Sequence, residues 1–129
     1  MFDVYLCNLL TLFLISTMSN YQISFTLKNE ADSQLTVDTL SVKKAALILR
    51  AFNHKLRQQI LKLIDTQEKV TVTEIYVKLR IEQSVASQHL AILRKAEFVK
   101  TERDGKFIYY TINTDRMKDL NRFVTDLLK

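Results

Sequence analysis

The chain has no proline, one glycine and one cysteine in 129 residues. Each shortage excludes something. A single glycine cannot build the glycine-rich loops that cradle nucleotide phosphates, which need two or three. Sandwiches and barrels are dense in glycine and proline turns, so their scarcity points to helices. Cys7 alone can form neither an internal disulfide nor a multi-cysteine zinc site. What remains is a chain with 47% hydrophobic and 26% charged residues, the balance of a globular protein. Its length suits one domain that folds without a metal or disulfide.

The net charge of +5 is unevenly placed. Residues 1–37 carry a net −2, and residues 38–129 carry +7. A small basic helical body suggests a polyanionic partner, nucleic acid first. Ordinary surface lysines would give the same count.

Residues 1–38 read as a leader. The run MFDVYLCNLLTLFLIST is apolar but shorter than a membrane-spanning helix, which needs roughly 20 residues. It begins with Asp3 and lacks the basic start of a secretory signal. Met18 follows, so residues 1–17 read either as a start-site artefact or as an extra amphipathic helix. Tyr21, Ile23, Phe25 and Leu27 alternate with polar residues, the period of a short strand with no evident partner. Residues 29–37 read as a polar linker.

From residue 39 onward the period becomes helical. Val42, Ala45, Ala46, Leu49 and Phe52 form one stripe. Asn53 can cap a second helix with the stripe Leu56, Ile60, Leu63 and Ile64. Thr71 and Glu74 make a capping box, and Val70 with Ile75 makes a hydrophobic staple, so a third helix starts there and stops near Arg80. A fourth helix covers about Ser84 to Ala96, with Ala86, Leu90, Leu93 and Ala96 as its buried line. Its other face holds Ser84, Ser87, Gln88, Ala91, Arg94 and Lys95. Hydroxyls and amides can read base edges, while cations reach phosphates.

Two strand-like runs follow, Phe98 to Glu102 and Lys106 to Ile112, joined through Arg103-Asp104-Gly105. Asp-Gly favours a type I′ hairpin turn with positive φ at both central residues. A basic-tipped hairpin after a polar-faced helix is the layout of a winged helix-turn-helix. The fold expected is therefore mainly α with a small β-hairpin, over a domain of residues 39–129. The last helix, about Thr114 to Leu128, carries Met117, Leu120, Phe123, Val124, Leu127 and Leu128. That exceeds what one face needs to cover a small body, so a second subunit is expected on it.

These residues resemble the ArsR/SmtB-type winged-helix repressors. Ser84 to Val99, SVASQHLAILRKAEFV, is similar to the pattern S-x-x-S-x-H-L-x-x-L-R-x-A-G-L-V of that family. Ala51 to Leu61 and Arg103 to Tyr110 resemble its second-helix start and its wing. Two departures stand out: Glu97 replaces the helix-ending glycine, and Lys55 replaces a common proline. The metal-sensing members carry E-L-C-x-C on the third helix; here Tyr76 and Lys78 stand at the cysteine positions. A phenol and an ammonium are poor ligands for thiophilic ions. The last helix has no histidine to join Asp115, Asp119 and Asp126. No metal site and no cofactor are expected, and His89, at the family's hallmark histidine, reads as structural.

The resemblance implies a homodimeric, sequence-specific repressor bound to a palindromic operator in double-stranded DNA. Gln83, Ser84, Ser87 and Gln88 would lie on the base side. Arg94, Lys95, Lys100, Arg103 and Lys106 would hold phosphates and the groove rim. Val42, Leu49, Met117, Leu120, Phe123, Val124 and Leu127 would form the dimer interface. The alternative is a winged helix used for protein contact. An enzyme is not expected, since no nucleophile–base pair, carboxylate pair or metal-ligand spacing occurs. A cytoplasmic protein with no membrane association follows from the same reading.

Overall fold

The computed structural model describes residues 24–28 and 34–129. The expectations for residues 1–17, for Tyr21 and Ile23, and for positions 29–33 of the linker lie outside the described residues. The chain divides into two units between Lys44 and Ala45.

In the first unit β1 (Ser24–Lys28) pairs antiparallel with β2 (Gln34–Asp38), in register from Ser24–Asp38 to Lys28–Gln34. This corrects two expectations. The lone strand has a partner, and the linker becomes strand from Gln34. The reason is the run Leu35-Thr36-Val37, whose two β-branched residues favour an extended chain despite polar neighbours. Asp38 ends the strand and caps α1 (Thr39–Phe52). Its carboxylate accepts the Leu40 N–H at 3.0 Å, the Ser41 N–H at 3.2 Å and the Ser41 hydroxyl at 2.6 Å. Those bonds, the hydroxyl's first, hold the Asp38 carboxyl below its ordinary pKa.

The second unit continues α1 from Ala45 and adds α2 (Lys55–Gln67), β3 (Val70–Thr71), α3 (Val72–Leu79) and α4 (Gln83–Lys95). It closes with β4 (Val99–Asp104), β5 (Phe107–Ile112) and α5 (Thr114–Leu127). The three strands form one antiparallel sheet in the order β3-β5-β4. Ile60, Ile64, Val70, Ile75, Ala86, Leu90, Leu93 and Phe98 are fully enclosed between helices and sheet. Burying each large apolar side chain contributes about 1.5–3 kcal/mol.

Helix ends explain how the elements turn. The cap of α2 is His54, without a side-chain bond, and not Asn53. The Asn53 N–H is taken by Leu49 O at 2.8 Å, so Asn53 still belongs to the end of α1. After α2, Glu68 adopts φ 62° and ψ −42° while the Lys69 N–H bonds to Gln67 O at 2.7 Å. This tight γ-turn reverses the chain so that Val70 enters the core. The capping box of α3 forms as expected, with Thr71 and Glu74 bonding reciprocally. The Thr71 N–H and hydroxyl hold the Glu74 carboxyl below its ordinary pKa.

Both helices of the central pair end in Schellman motifs without glycine. After α3, Arg80 is left-handed, with Arg80 N–H to Val77 O at 3.3 Å and Ile81 N–H to Tyr76 O at 3.1 Å. After α4, Glu97 has φ 65°, with Glu97 N–H to Arg94 O and Phe98 N–H to Leu93 O, both at 3.0 Å. The buried pair Leu93 and Phe98 supplies the apolar contact of that motif. Glu97 thus occupies the glycine position in the conformation that favours glycine.

The hairpin differs from expectation by one residue. Asp104 pairs with Phe107, so the two-residue loop is Gly105-Lys106. Positive φ occurs at Gly105 (59°) and not at Lys106. That is the pattern of a type II′ turn, with glycine at the first central position, rather than type I′. Among the described residues no helix is long and apolar enough to cross a membrane.

Candidate nucleic-acid interface

Helices α3 and α4 are joined by only three residues, 80–82, and α4 packs on α2, α3 and β4. Ala86, Leu90 and Leu93 take its inner line. The face expected to read bases is outward: Gln83, Ser84, Ser87 and Gln88 are all exposed, as are Arg94 and Lys95 one to three turns on. Among the described residues neither Arg94 nor Lys95 joins an ion pair, and the same holds for Lys100 and Lys106. Free cations at the C-terminal half and uncharged hydrogen-bonding groups at the N-terminal half can meet backbone and base edges respectively.

The wing cations do not share one face. Lys100 pairs with Thr111 and Arg103 with Ile108, three positions further along β4. Side chains alternate along a strand, so Lys100 and Arg103 leave the sheet on opposite sides. Arg103 Nε donates to Gly105 O at 3.2 Å, which ties its guanidinium to the turn. On the Lys100 side, Lys69 bridges Glu102 at 3.1 Å and sits 4.6 Å over the Tyr109 ring.

The anchor of α4 is a group to which the sequence reading assigned no role. Arg57 of α2 is 7% exposed. It donates to Ala51 O and, at 2.8 Å, to Arg50 O, closing the last carbonyls of α1. Its remaining arm lies 3.3 Å from His89 Nδ1 on α4. Arginine can only donate, so this contact favours a neutral His89 that accepts at Nδ1. The His54 ring lies 4.8 Å from that of His89. Burial first, then the neighbouring His54 and Arg57, pushes the His89 pKa down. The hint in the sequence was a lone arginine inside an apolar helical stripe.

The other end of α4 is joined to α5. Asn113 Nδ2 donates to Glu97 O at 2.8 Å, and the Asn113 N–H to Phe98 O at 2.9 Å. Arg116 Nε donates to Ala96 O at 3.2 Å, with Glu97 3.9 Å from its guanidinium.

The expected dimer residues divide into two sets. Met117 and Leu120 of α5 pack against the core. Phe123 (46%) and Leu127 (67%) stay exposed, Val124 and Leu49 are half-buried, and Val42 on α1 is 55% exposed. A cavity of about 220 Å³ between α1 and α5 is lined by Ala45, Ile48, Leu49, Arg116, Asp119, Leu120 and Phe123. On α3, Tyr76 packs on the core and Lys78 is exposed.

A helix-turn-helix with an open polar face, followed by an antiparallel hairpin, defines a winged-helix protein. The profile described as "Bacterial regulatory protein, arsR family" matches residues 54–101, from the cap of α2 into β4. An uncharacterized HTH-type transcriptional regulator of Methanocaldococcus jannaschii is 38% identical over 85 residues, 66% of this chain and 96% of the relative. The transcriptional repressor PagR of Bacillus anthracis is 28% identical over 91 residues, 70% of this chain and 91% of the relative. The crystal structure of PagR superposes with a TM-score of 0.54, covering 67% of this chain and 98% of that one. The solution structure of a homodimeric winged helix-turn-helix DNA-binding domain from Mycobacterium bovis gives 0.57 at 26% identity, over 68% and 83% of the two chains. The chain belongs to the ArsR family of bacterial regulatory proteins, and it is a transcriptional regulator of winged-helix type.

Proposed function

We propose that the protein is a homodimeric, sequence-specific DNA-binding repressor that acts in the cytoplasm on a palindromic operator and is released by a signal. The observation that carries this reading is the outer face of α4, where six polar or cationic side chains are exposed. Gln83, Ser84, Ser87 and Gln88 take the base side. Arg94, Lys95, Lys100, Arg103 and Lys106 take the backbone and groove rim. Residues 39–129 form the binding and dimerisation domain, and no catalytic role is assigned to it. Dimerisation through α1 and α5, with Val42, Leu49 and the α5 stripe, would set two copies of α4 about 34 Å apart, one DNA turn. The Mycobacterium bovis relative, described as homodimeric, supports a dimer. Relatives named as repressors include PagR and SdpR, while HlyU of Vibrio cholerae is named an activator. The signal is not a thiophilic metal held on α3, because Tyr76 and Lys78 offer no soft ligand.

The test is binding of the purified protein to DNA upstream of its own gene, read by fluorescence anisotropy against random competitor. If about eight phosphates are neutralised, log affinity falls with log salt at a slope near −7. Gln88→Ala should lower the preference for the operator over random DNA, since a bidentate amide–adenine contact is worth about 1–3 kcal/mol. Absence of binding at low salt overturns the reading.

A further inference from the structure

The wing carries more apolar surface than its fold uses. On β5, Tyr110 and Ile112 pack on the core. Nearer the tip, Phe107 and Ile108 are each 50% exposed. Phe107 lies opposite Asp104, and Ile108 opposite Arg103. Paired residues of an antiparallel ladder share a face, so the two apolar side chains leave the tip on opposite sides. Lys106 lies 5.5 Å from the Phe107 ring centroid, and the Tyr109 ring is 6.4 Å from it. The two apolar groups therefore stand at the hairpin tip, next to Lys106 and opposite Asp104 and Arg103.

An exposed strand end normally carries polar or charged residues that prevent association. Phe107 and Ile108 do the opposite, and the fold gains little from them. The flanking cations select a polyanion, and the apolar pair selects one with an apolar interior. Duplex DNA has both, in its phosphates and its stacked bases. Asp104 offsets part of the positive charge, so charge alone gives the tip a weak hold. Apolar wedges entering the minor groove part base steps and kink the duplex by roughly 20–90°.

Resting on the DNA-binding reading above, we propose that Phe107, with the Tyr109 ring behind it on the same face, is a minor-groove wedge that opens a base step beside the sequence read by α4. Pyrimidine–purine steps unstack most easily, so the wing selects them at positions that α4 does not touch. The wing then contributes specificity through deformation, while Lys106 and Arg103 contribute salt-dependent hold.

The experiment starts with duplexes selected from a random library by the wild-type protein and labelled at both ends for energy transfer. The wild type should shorten the end-to-end distance, and the selected sequences should carry TA or CA/TG steps outside the α4 site. Phe107→Ala should straighten the duplex, lose that step preference and weaken binding about tenfold. Lys106→Ala should keep the bend and flatten the salt slope. A wild-type complex with straight DNA, or an unchanged bend in Phe107→Ala, overturns the wedge. If binding still depends on Gln88 in that case, the DNA-binding reading survives and the wedge alone falls. If no duplex is selected, both fall. A Phe107-dependent interaction with anionic vesicles, with the DNA bend unchanged, overturns the wedge in favour of a lipid surface.

Discussion

Helices α4 and α5 are both amphipathic and nearly equal in length, yet they use their apolar residues differently. α4 places Ala86, Leu90 and Leu93 out of water among α2, α3 and β4. α5 has a stripe of larger residues and none that is buried. Its inner members, Met117 and Leu120, touch the core, while Phe123 and Leu127 do not reach it. Apolar content alone therefore does not locate a core. What decides is how many neighbouring elements surround the helix.

The largest test of this contrast is one substitution on each helix. Leu90→Ala should destabilise the fold by about 2–5 kcal/mol, read from urea unfolding, because its site is enclosed on all sides. Phe123→Asp should leave the helical circular dichroism unchanged and convert dimers to monomers in light scattering, with operator binding lost. If Phe123→Asp unfolded the protein as Leu90→Ala does, the α5 stripe would be core after all.

A smaller effect is expected at the joint between the two helices. Glu97 sits in the left-handed region, where a side chain costs roughly 1 kcal/mol or more. Glu97→Gly removes that strain together with, among the described residues, one long contact to Arg116, so stability should rise by about 1 kcal/mol. An unchanged or lower urea midpoint would show that the Arg116 contact outweighs the strain.

The smallest effect is on pH dependence, and it sets α4 apart from α5. Burial pushes the His89 pKa down, so as pH falls the unfolded chain takes up a proton before the native one does. The stability His89 contributes is present above pH about 6.5 and is lost as pH falls below that through its lowered folded value. His89→Gln should weaken this dependence between about pH 7.5 and about pH 5.5, compared by urea midpoints. An identical pH dependence in the variant would remove His89 as its source.

The sequence made the helical body legible because local signals there are redundant. The α3 start has both a capping box and a staple, and the α4 face follows from a clean 3.6 period. The misses have a common cause, which is geometry set by partners distant in sequence. β2 was hidden because Leu35 and Val37 sit among polar residues and become a strand only by pairing with β1. The two-residue β3 exists through β5 alone. The turn shifted by one residue because the register of β4 on β5, and not the Asp-Gly pair, sets the loop. In the candidate interface the α4 face could be read from period, but the split of Lys100 and Arg103 across the wing could not, since it requires Arg103 to belong to β4 rather than to the turn, which its pairing with Ile108 decides. Arg57 stood out locally as an arginine in an apolar stripe, but its partners on α1 and α4 are set by the packing of three helices.

The short strand β3 has a mechanical consequence. It grips β5 at Tyr109 and Tyr110, so those two residues are bonded from both sides. Phe107 and Ile108 lie past that grip, and among the described residues they pair with β4 alone. The wing is thus a cantilever: clamped at its root, with a free length of two residues on each strand, roughly 7 Å. A beam so short bends little but can tilt, letting its tip track grooves of different width while the clamp keeps its bearing on α4. Hydrogen exchange should trace the same profile, with slow amides in the clamped segment and fast ones from Asp104 to Ile108.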